Sequence, residues 1–214
     1  MELIGVDTQR AYSQIREMII TLKLQPGSMV NAQALSSRLH FGTAAINEAL
    51  KLLVIDNLVE ISKHHGVYVS RINPEDLKYL SEVRVLLEAY SARLAAERAT
   101  QDDLTILESL IEEQKDIPEE DKQAWFGIDH KLHQAVATAA GNHYLIRSLE
   151  YYFGLSQRLW YFALPKIDFL SEAVQEHAAL LESIRSKQPD RAEEIMASHV
   201  KKFYNKVHEL LEEK

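Results

Sequence analysis

Apolar positions in the first third of the chain recur at helical spacing and then switch to alternation. From about residue 74 they return to helical spacing and keep it to the end. "QRAYSQIREMIITLKL" places Ile15, Met18, Ile19 and Leu22 on one stripe, and "QPGS" ends that helix at Pro26 and Gly27. Asn31 is placed to cap a second helix over "AQALSSRLH", with Leu35 and Leu39 inward. Thr43 is placed to cap a third, "AAINEALKLLVIDN", whose inward face is Ile46, Ala49, Leu50 and Leu53. After Asn57 the period becomes two: "LVEIS" and "VYVSRI" are strand-like runs joined by "KHHG", where Gly66 suits a tight turn.

Three short helices followed by a hairpin are the parts of a winged helix-turn-helix, the second and third helices forming the motif and the hairpin the wing. This predicts a DNA-binding domain over residues 1–72. Around "RINPEDL" the character changes: Asn73 is a candidate cap before Pro74, and residues 73–214 show no strand signal. Six helical stretches are predicted there, at 74–98, 101–115, 119–140, 142–162, 169–187 and 189–212, with breaks at "KDIPEED", "AAGN", "LPKID" and "SKQPD". The expected fold is mostly α: a winged helix-turn-helix followed by an all-α bundle, whose sites would be built from side chains facing its core.

Composition narrows the function classes. The 214 residues are 46% hydrophobic and contain no cysteine, so a full core is possible while disulfides and thiolate zinc sites are not. No run approaches the roughly 18 apolar residues of a membrane span, and the N-terminus lacks the pattern of a signal peptide. A cytoplasmic protein without a membrane partner is expected. The net charge of −8 is uneven. Residues 1–72 hold 7 Lys/Arg and 6 Asp/Glu, a net of +1, and the remainder carries −9. An acidic body repels DNA, whereas a near-neutral head need not.

Candidate chemistry gathers in the second part. Asp129 and His133 are four apart on the third predicted helix of the bundle, and so share a face. His177 lies among Val174, Leu180, Leu181 and Ile184, and His199 beside Ile195, Met196 and Phe203, both close to apolar stripes. An unpartnered imidazole there is costly. The residues themselves allow two readings, hydrogen-bonded core histidines or a divalent transition-metal site, for which one carboxylate and three imidazoles suit Zn²⁺, Ni²⁺ or Mn²⁺. His130, His143 and His208 fall off these stripes and read as solvated.

Whole segments in both parts resemble the GntR superfamily of transcription regulators, in the FadR-type branch with an FCD effector domain. "IREMIITLKLQPGSMVNAQALSSRL" and "EALKLLVIDNLVEISKHHGVYVSRI" match the winged-helix pattern. "SEVRVLLEAYSARLAAERAT", "DHKLHQAVATAAGN" and "EHAALLESIRSKQPDRAEEIMASHV" are similar to successive FCD segments. The count of six helices is similar to the VanR-like subgroup. The resemblance implies that Asp129, His133, His177 and His199 are metal ligands, with Zn²⁺ the first choice. It also implies that Arg84 points into an effector cavity, where a guanidinium fork suits a small carboxylate. The alternative reading of Arg84 is a surface helix arginine paired with Glu88 at i,i+4. Asn142 reads as a cap. A homodimer on a palindromic double-stranded operator is implied as well.

The recognition helix departs from the family pattern. Members commonly read Ser-Arg-Thr-Pro-Val-Arg-Glu-Ala-Leu where this chain has "GTAAINEAL", so Thr43 and Asn47 stand at the usual arginine positions. Asn47 can pair with adenine and Thr43 can contact phosphate or a thymine methyl. Arg38, Lys51, Lys63, His64 and His65 remain for backbone contacts, with Gly66 as the turn. The expected function is a metabolite-responsive regulator. A sensor whose head no longer reads an operator is the alternative. A metal-dependent hydrolase is the less favoured one, since its only candidate base, Glu176, reads as solvated.

Overall fold

A computed structural model describes residues 5–62, 66–73, 75–118, 120–164, 167 and 170–212. The chain divides into two compact units, one of residues up to Asn73 with Gln157–Phe162, the other of Pro74–Ser156 with Ala163–Lys214.

The first unit begins with α1 (Val6–Ile20), α2 (Ala32–Leu39) and α3 (Thr43–Ile55), followed by β1 (Val59–Ser62) and β2 (Gly66–Val69). Ile15, Met18 and Ile19 are buried as the stripe requires. Leu22 is not on the helix: α1 stops at Ile20, and Leu22 takes a left-handed conformation with φ 58°. The cause is local, because the Leu24 N–H turns back to the carbonyl of Met18, and α1 has ended six residues before Pro26. Asn31 caps α2 by accepting from the N–H groups of Gln33 and Ala34 at 3.0 and 2.9 Å. Thr43 is not a cap; Gly42 holds that position, and Thr43 is the first residue of α3. Ile46, Ala49, Leu50 and Leu53 all face inward and are buried. α3 packs on α1, α2 and β1.

The hairpin is antiparallel, with Val59 opposite Val69 and Ser62 opposite Gly66. Gly66 has φ +100°, a conformation that side chains resist, which explains a glycine at the end of the connection. Its companions Lys63, His64 and His65 lie outside the described residues. The pattern missed one feature: residues 27–30 pair along β2. Gly27 and Val30 donate to the carbonyls of Val69 and Val67 at 2.8 and 2.7 Å, and Val69 donates to Ser28. These bonds tether the wing to the segment after α1.

The second unit holds, among the described residues, α4 (Asp76–Arg98), α5 (Gln101–Lys115), α6 (Lys122–Ala139), α7 (His143–Ala163, partly assigned to the first unit), α8 (Leu170–Arg185) and α9 (Pro189–Glu212). Glu75, not Asn73, holds the cap position of α4 and supplies no side-chain bond. Thr100 and Asp103 form a reciprocal capping box on α5, and Asn142 caps α7. α4 is the central rod, packing on α9, α6 and α8. Its Ala89, Ala92, Ala95 and Ala96 are buried, and small side chains let neighbouring helices approach closely. It also buries Arg84 and Glu88, at 2% and 3% exposure, which a hydrophobic stripe does not announce.

Truncating Leu53, which is wholly buried, to alanine is expected to destabilise the first unit by about 2–5 kcal/mol. Asn31→Ala should cost about 1 kcal/mol. Urea unfolding of the two variants checks that order.

Candidate metal centre and recognition-helix face

Three helices bring the four candidate ligands together. Asp129 and His133 come from α6, His177 from α8 and His199 from α9. All four are buried, and one ligand atom from each lies within 4.8 Å of the others. His177 Nε2 is 3.3 Å from His199 Nε2 and 3.5 Å from Asp129 Oδ1; His133 Nε2 is 3.9 Å from Asp129 Oδ2. Donors each about 2.1 Å from a common ion at a tetrahedral angle stand about 3.4 Å apart.

The other ring nitrogen of each histidine is spoken for. His133 Nδ1–H donates to Glu88 Oε2 on α4. His177 Nδ1–H donates to Gln114 Oε1 on α5 at 2.8 Å, and His199 Nδ1–H donates to Glu176 Oε2 on α8 at 2.7 Å. These bonds select the tautomer in which the Nε2 lone pair faces the cluster, as acceptors behind metal-bound histidines do. With both Nδ1 protons committed, neutral His177 and His199 point lone pairs at each other across 3.3 Å. A cation between them relieves that repulsion, so the donor set fits a divalent ion held by nitrogen and oxygen.

Electrostatics agree with the geometry. Burial, then His199 and His133, hold the His177 imidazole well below its usual range, so the ring is neutral. Burial raises the Asp129 carboxyl despite the imidazoles beside it. Burial opposes a charge on His133, but Glu88 and then Asp129 outweigh it and raise its pKa. Burial likewise opposes ionisation of Glu88, and Arg84 and then His133 bring its carboxyl down to about 2. The hydrogen bond from His199, with Lys202 assisting, lowers Glu176 to about 2 against its partial burial. Glu176 is therefore not the solvated residue its sequence position suggested. It accepts from His199 and from Lys202 Nζ, the latter at 2.5 Å.

Arg84 does pair with Glu88, yet in the core rather than on the surface. Its Nη1 donates to Tyr204 OH at 3.1 Å, and its guanidinium carbon lies 4.8 Å from the Phe153 ring centroid. Tyr204 OH and Ser156 Oγ are 2.5 Å apart, and Ser156 donates onward to the Tyr152 carbonyl, so the tyrosine is the donor between them. His130 is another correction: it is half-buried and its ring stacks on Phe153 at 3.8 Å. His143 and His208 are exposed. Pattern reasoning named the four ligand candidates and missed Gln114 and Tyr204. Glu88 entered only as a partner for Arg84. The one signal available for Gln114 was a polar residue in register with Leu107 and Ile111, seven and three positions earlier on the apolar face of α5.

On the recognition helix, Thr43, Asn47 and Lys51 share one exposed face at four-residue spacing. Thr43 Oγ1 lies 3.5 Å from Ser36 Oγ, and Lys51 Nζ donates to Glu48 at 2.6 Å. Arg38 is exposed on α2, and Gly66 is exposed where β2 begins.

Residues 79–202 match the model of the FCD domain, and residues 7–69 match that of the bacterial regulatory proteins of the gntR family. The chain belongs to the GntR family of transcription regulators that carry an FCD domain. It is 29% identical over 213 residues to the "Galactonate operon transcriptional repressor" of Escherichia coli (strain K12), covering 87% of this chain and 90% of that protein. It is 28% identical over 206 residues to the "HTH-type transcriptional regulator LutR" of Bacillus subtilis (strain 168), covering 86% and 93%. The solved structure titled "E. coli McbR/YncC" superposes with a TM-score of 0.82 at 17% identity, covering 98% of this chain and 99% of the other. A GntR regulator from Rhodococcus sp. RHA1 superposes with a TM-score of 0.79 at 16% identity, covering 95% and 98%. The mostly α fold with a two-stranded wing is that of these neighbours. The relatives are regulators, and this FCD-bearing GntR protein is a regulator, not an enzyme.

The Arg84–Glu88 pair can be tested without metal. In chelator-treated protein, Glu88→Leu leaves the guanidinium uncompensated and should cost about 3–5 kcal/mol, whereas Arg84→Leu/Glu88→Leu together should recover much of it. Unfolded, Glu88 takes its proton near 4.5; folded, at about 2. Its contribution is therefore complete above the first value and is lost as pH falls toward the second. Urea melts of the parent and Glu88→Gln across that window should converge at the acid end.

Proposed function

We propose that this regulator is a cytoplasmic homodimer that senses a metabolite through a divalent transition metal held by Asp129, His133, His177 and His199. In this reading a small carboxylate effector joins the ion and changes the affinity of the winged heads for a palindromic operator. The observation that carries it is the convergence of three Nε2 atoms and a carboxylate in a buried cluster where every Nδ1 is already engaged. Zn²⁺ is the first choice, with Ni²⁺ and Mn²⁺ also suited to such donors. A bound ion of this kind supplies affinity for carboxylate oxygens. Arg84, enclosed against Glu88, serves the effector by exchanging one carboxylate for another. Among the described residues, no helix is long and apolar enough to cross a membrane.

Two surfaces support the rest of the reading. Tyr79, Leu86 and Tyr90 follow one another at seven and four residues along α4 and are 63%, 72% and 49% exposed, a stripe that a second copy would cover. Thr43, Asn47 and Lys51 present an exposed face for the major groove, with Arg38 and the wing residues Lys63, His64, His65 and Gly66 against the backbone. Because Lys51 is engaged by Glu48 and the usual arginines are absent, affinity rests on summing two half-sites.

Titrating chelator-treated protein with Zn²⁺, Ni²⁺ or Mn²⁺ in a calorimeter should show one ion per chain. At a hundredfold excess over Kd, the ion should stabilise the fold by about 2.7 kcal/mol. His177→Ala should abolish this. Because His133 is protonated above the usual range in the free site, the ion displaces a proton, and affinity should rise with pH. Absence of binding for all three ions overturns the metal reading.

Anisotropy with duplexes tiled across the DNA around its own gene should single out one palindrome. Asn47→Ala should then weaken that duplex about 5–100-fold while leaving random DNA unchanged. Equal, salt-sensitive binding everywhere favours a head that no longer reads an operator.

A further inference from the structure

Beside the metal candidates, and largely separate from them, a cavity of about 250 Å³ opens between α4, α6 and α7. Its two long walls are single helix faces. On α7 the face is Ile146, Leu149, Glu150 and Phe153, at i, i+3, i+4 and i+7; on α6 it runs from His130 to Thr138 at the same spacing. Glu88 closes it from α4. Of the four clustered ligand candidates only His133 reaches it.

We infer that this cavity is a second ligand site, built for a small organic cation: an amine carried on a short apolar chain. Three observations point the same way. The volume is slightly below that of ordinary ligand pockets, about 300–1,000 Å³, so its occupant is small. Ala137, Ile146, Leu149 and Phe153 give it apolar walls, the last extended by the stacked ring of His130. No lysine or arginine lines it, while two carboxylates do. The Glu88 carboxylate is already met by Arg84 and His133. That of Glu150 is exposed and meets no cation among the described residues, and the Gln134 side chain makes no hydrogen bond among them. An ammonium group finds in Glu150 a charged acceptor and in Gln134 a second oxygen, with its alkyl chain against Ile146 and Leu149. A carboxylate of the same size meets the uncompensated charge of Glu150, while the charges at Glu88 and His133 are already matched to each other and to Arg84. The same molecule that is favoured at the metal is thus disfavoured here, and the two sites select opposite ends of ligand chemistry.

Butan-1-amine, butan-1-ol and butanoate share a chain and differ in charge, so ligand-detected NMR titrations of the full protein separate the possibilities. Each is run on chelator-treated and Zn²⁺-supplemented samples, with Zn²⁺ binding measured separately so that failure of the metal reading is seen by itself. The amine should bind at least about fivefold more tightly than the alcohol in both samples, and be the tightest of the three in the chelated one, since a charged hydrogen bond is roughly twice as strong as a neutral one. Butanoate should be the weakest in the chelated sample. Glu150→Gln should bring the amine to the level of the alcohol. Thr138→Trp, which fills the mouth from an exposed position, should remove all three ligands from the chelated sample and the amine and alcohol from the Zn²⁺ sample. Both variants should keep the parent melting temperature within about 2 °C, as surface substitutions do. Butanoate binding as well as the amine in the chelated sample overturns the inference. So does amine binding that neither variant changes, because the cation then sits elsewhere.

Discussion

An imidazole out of water must place two nitrogens, and three such rings around one carboxylate set the terms for the whole helical unit. Each Nε2 turns toward the others only because something behind the ring accepts the Nδ1 proton, and those acceptors come from three different helices: Glu88 on α4, Gln114 on α5 and Glu176 on α8. The cluster therefore reaches well beyond the helices that carry its own four residues. Leaving any of these acceptors out would strand a buried donor, at a cost of about 1–3 kcal/mol.

Glu88 carries the heaviest share of this arrangement. It compensates Arg84, accepts a hydrogen bond from His133 and sits on the floor of the neighbouring cavity. Arg84 in turn begins a chain through Tyr204 and Ser156 to a backbone carbonyl, so its guanidinium is held by partners of both kinds, ionic and neutral. A charge buried this deeply is tolerated because it is paired and hydrogen-bonded. Because Glu88 is shared, the Arg84 ion pair and the orientation of the His133 ring are held by one carboxylate.

The DNA-reading unit follows different physics. Its core is a set of aliphatic side chains that pack α3 on α1, α2 and β1, and it tolerates wide variation on the outer face of α3. Thr43 and Asn47 are exposed there and make no contribution to the core. Loss of the usual arginines leaves the fold intact and changes only what the surface can say to DNA.

Periodicity alone determined the order and kind of the elements, the inward face of α3, the caps at Asn31 and Asn142, and six helices after the wing, because burial against solvent is a local, repeating demand that each element states in its own residues. The grouping of Asp129 with His133 was legible for the same reason, as two positions on one helix face. The alignment of His177 and His199 with them rested on a resemblance, since spacing within one helix says nothing about which other helix it meets. Only the tertiary structure decided that Gln114 stands behind His177, that Arg84 and Glu88 pair in the core rather than on the surface, that His130 stacks on Phe153, and that residues 27–30 pair with β2. Each of these joins residues at least 4 and up to 63 positions apart, through directions of side chains and hydrogen-bonding groups that have no period in the sequence. A buried polar group is satisfied by whichever partner the packed helices bring to it, and that partner exists only once they have packed.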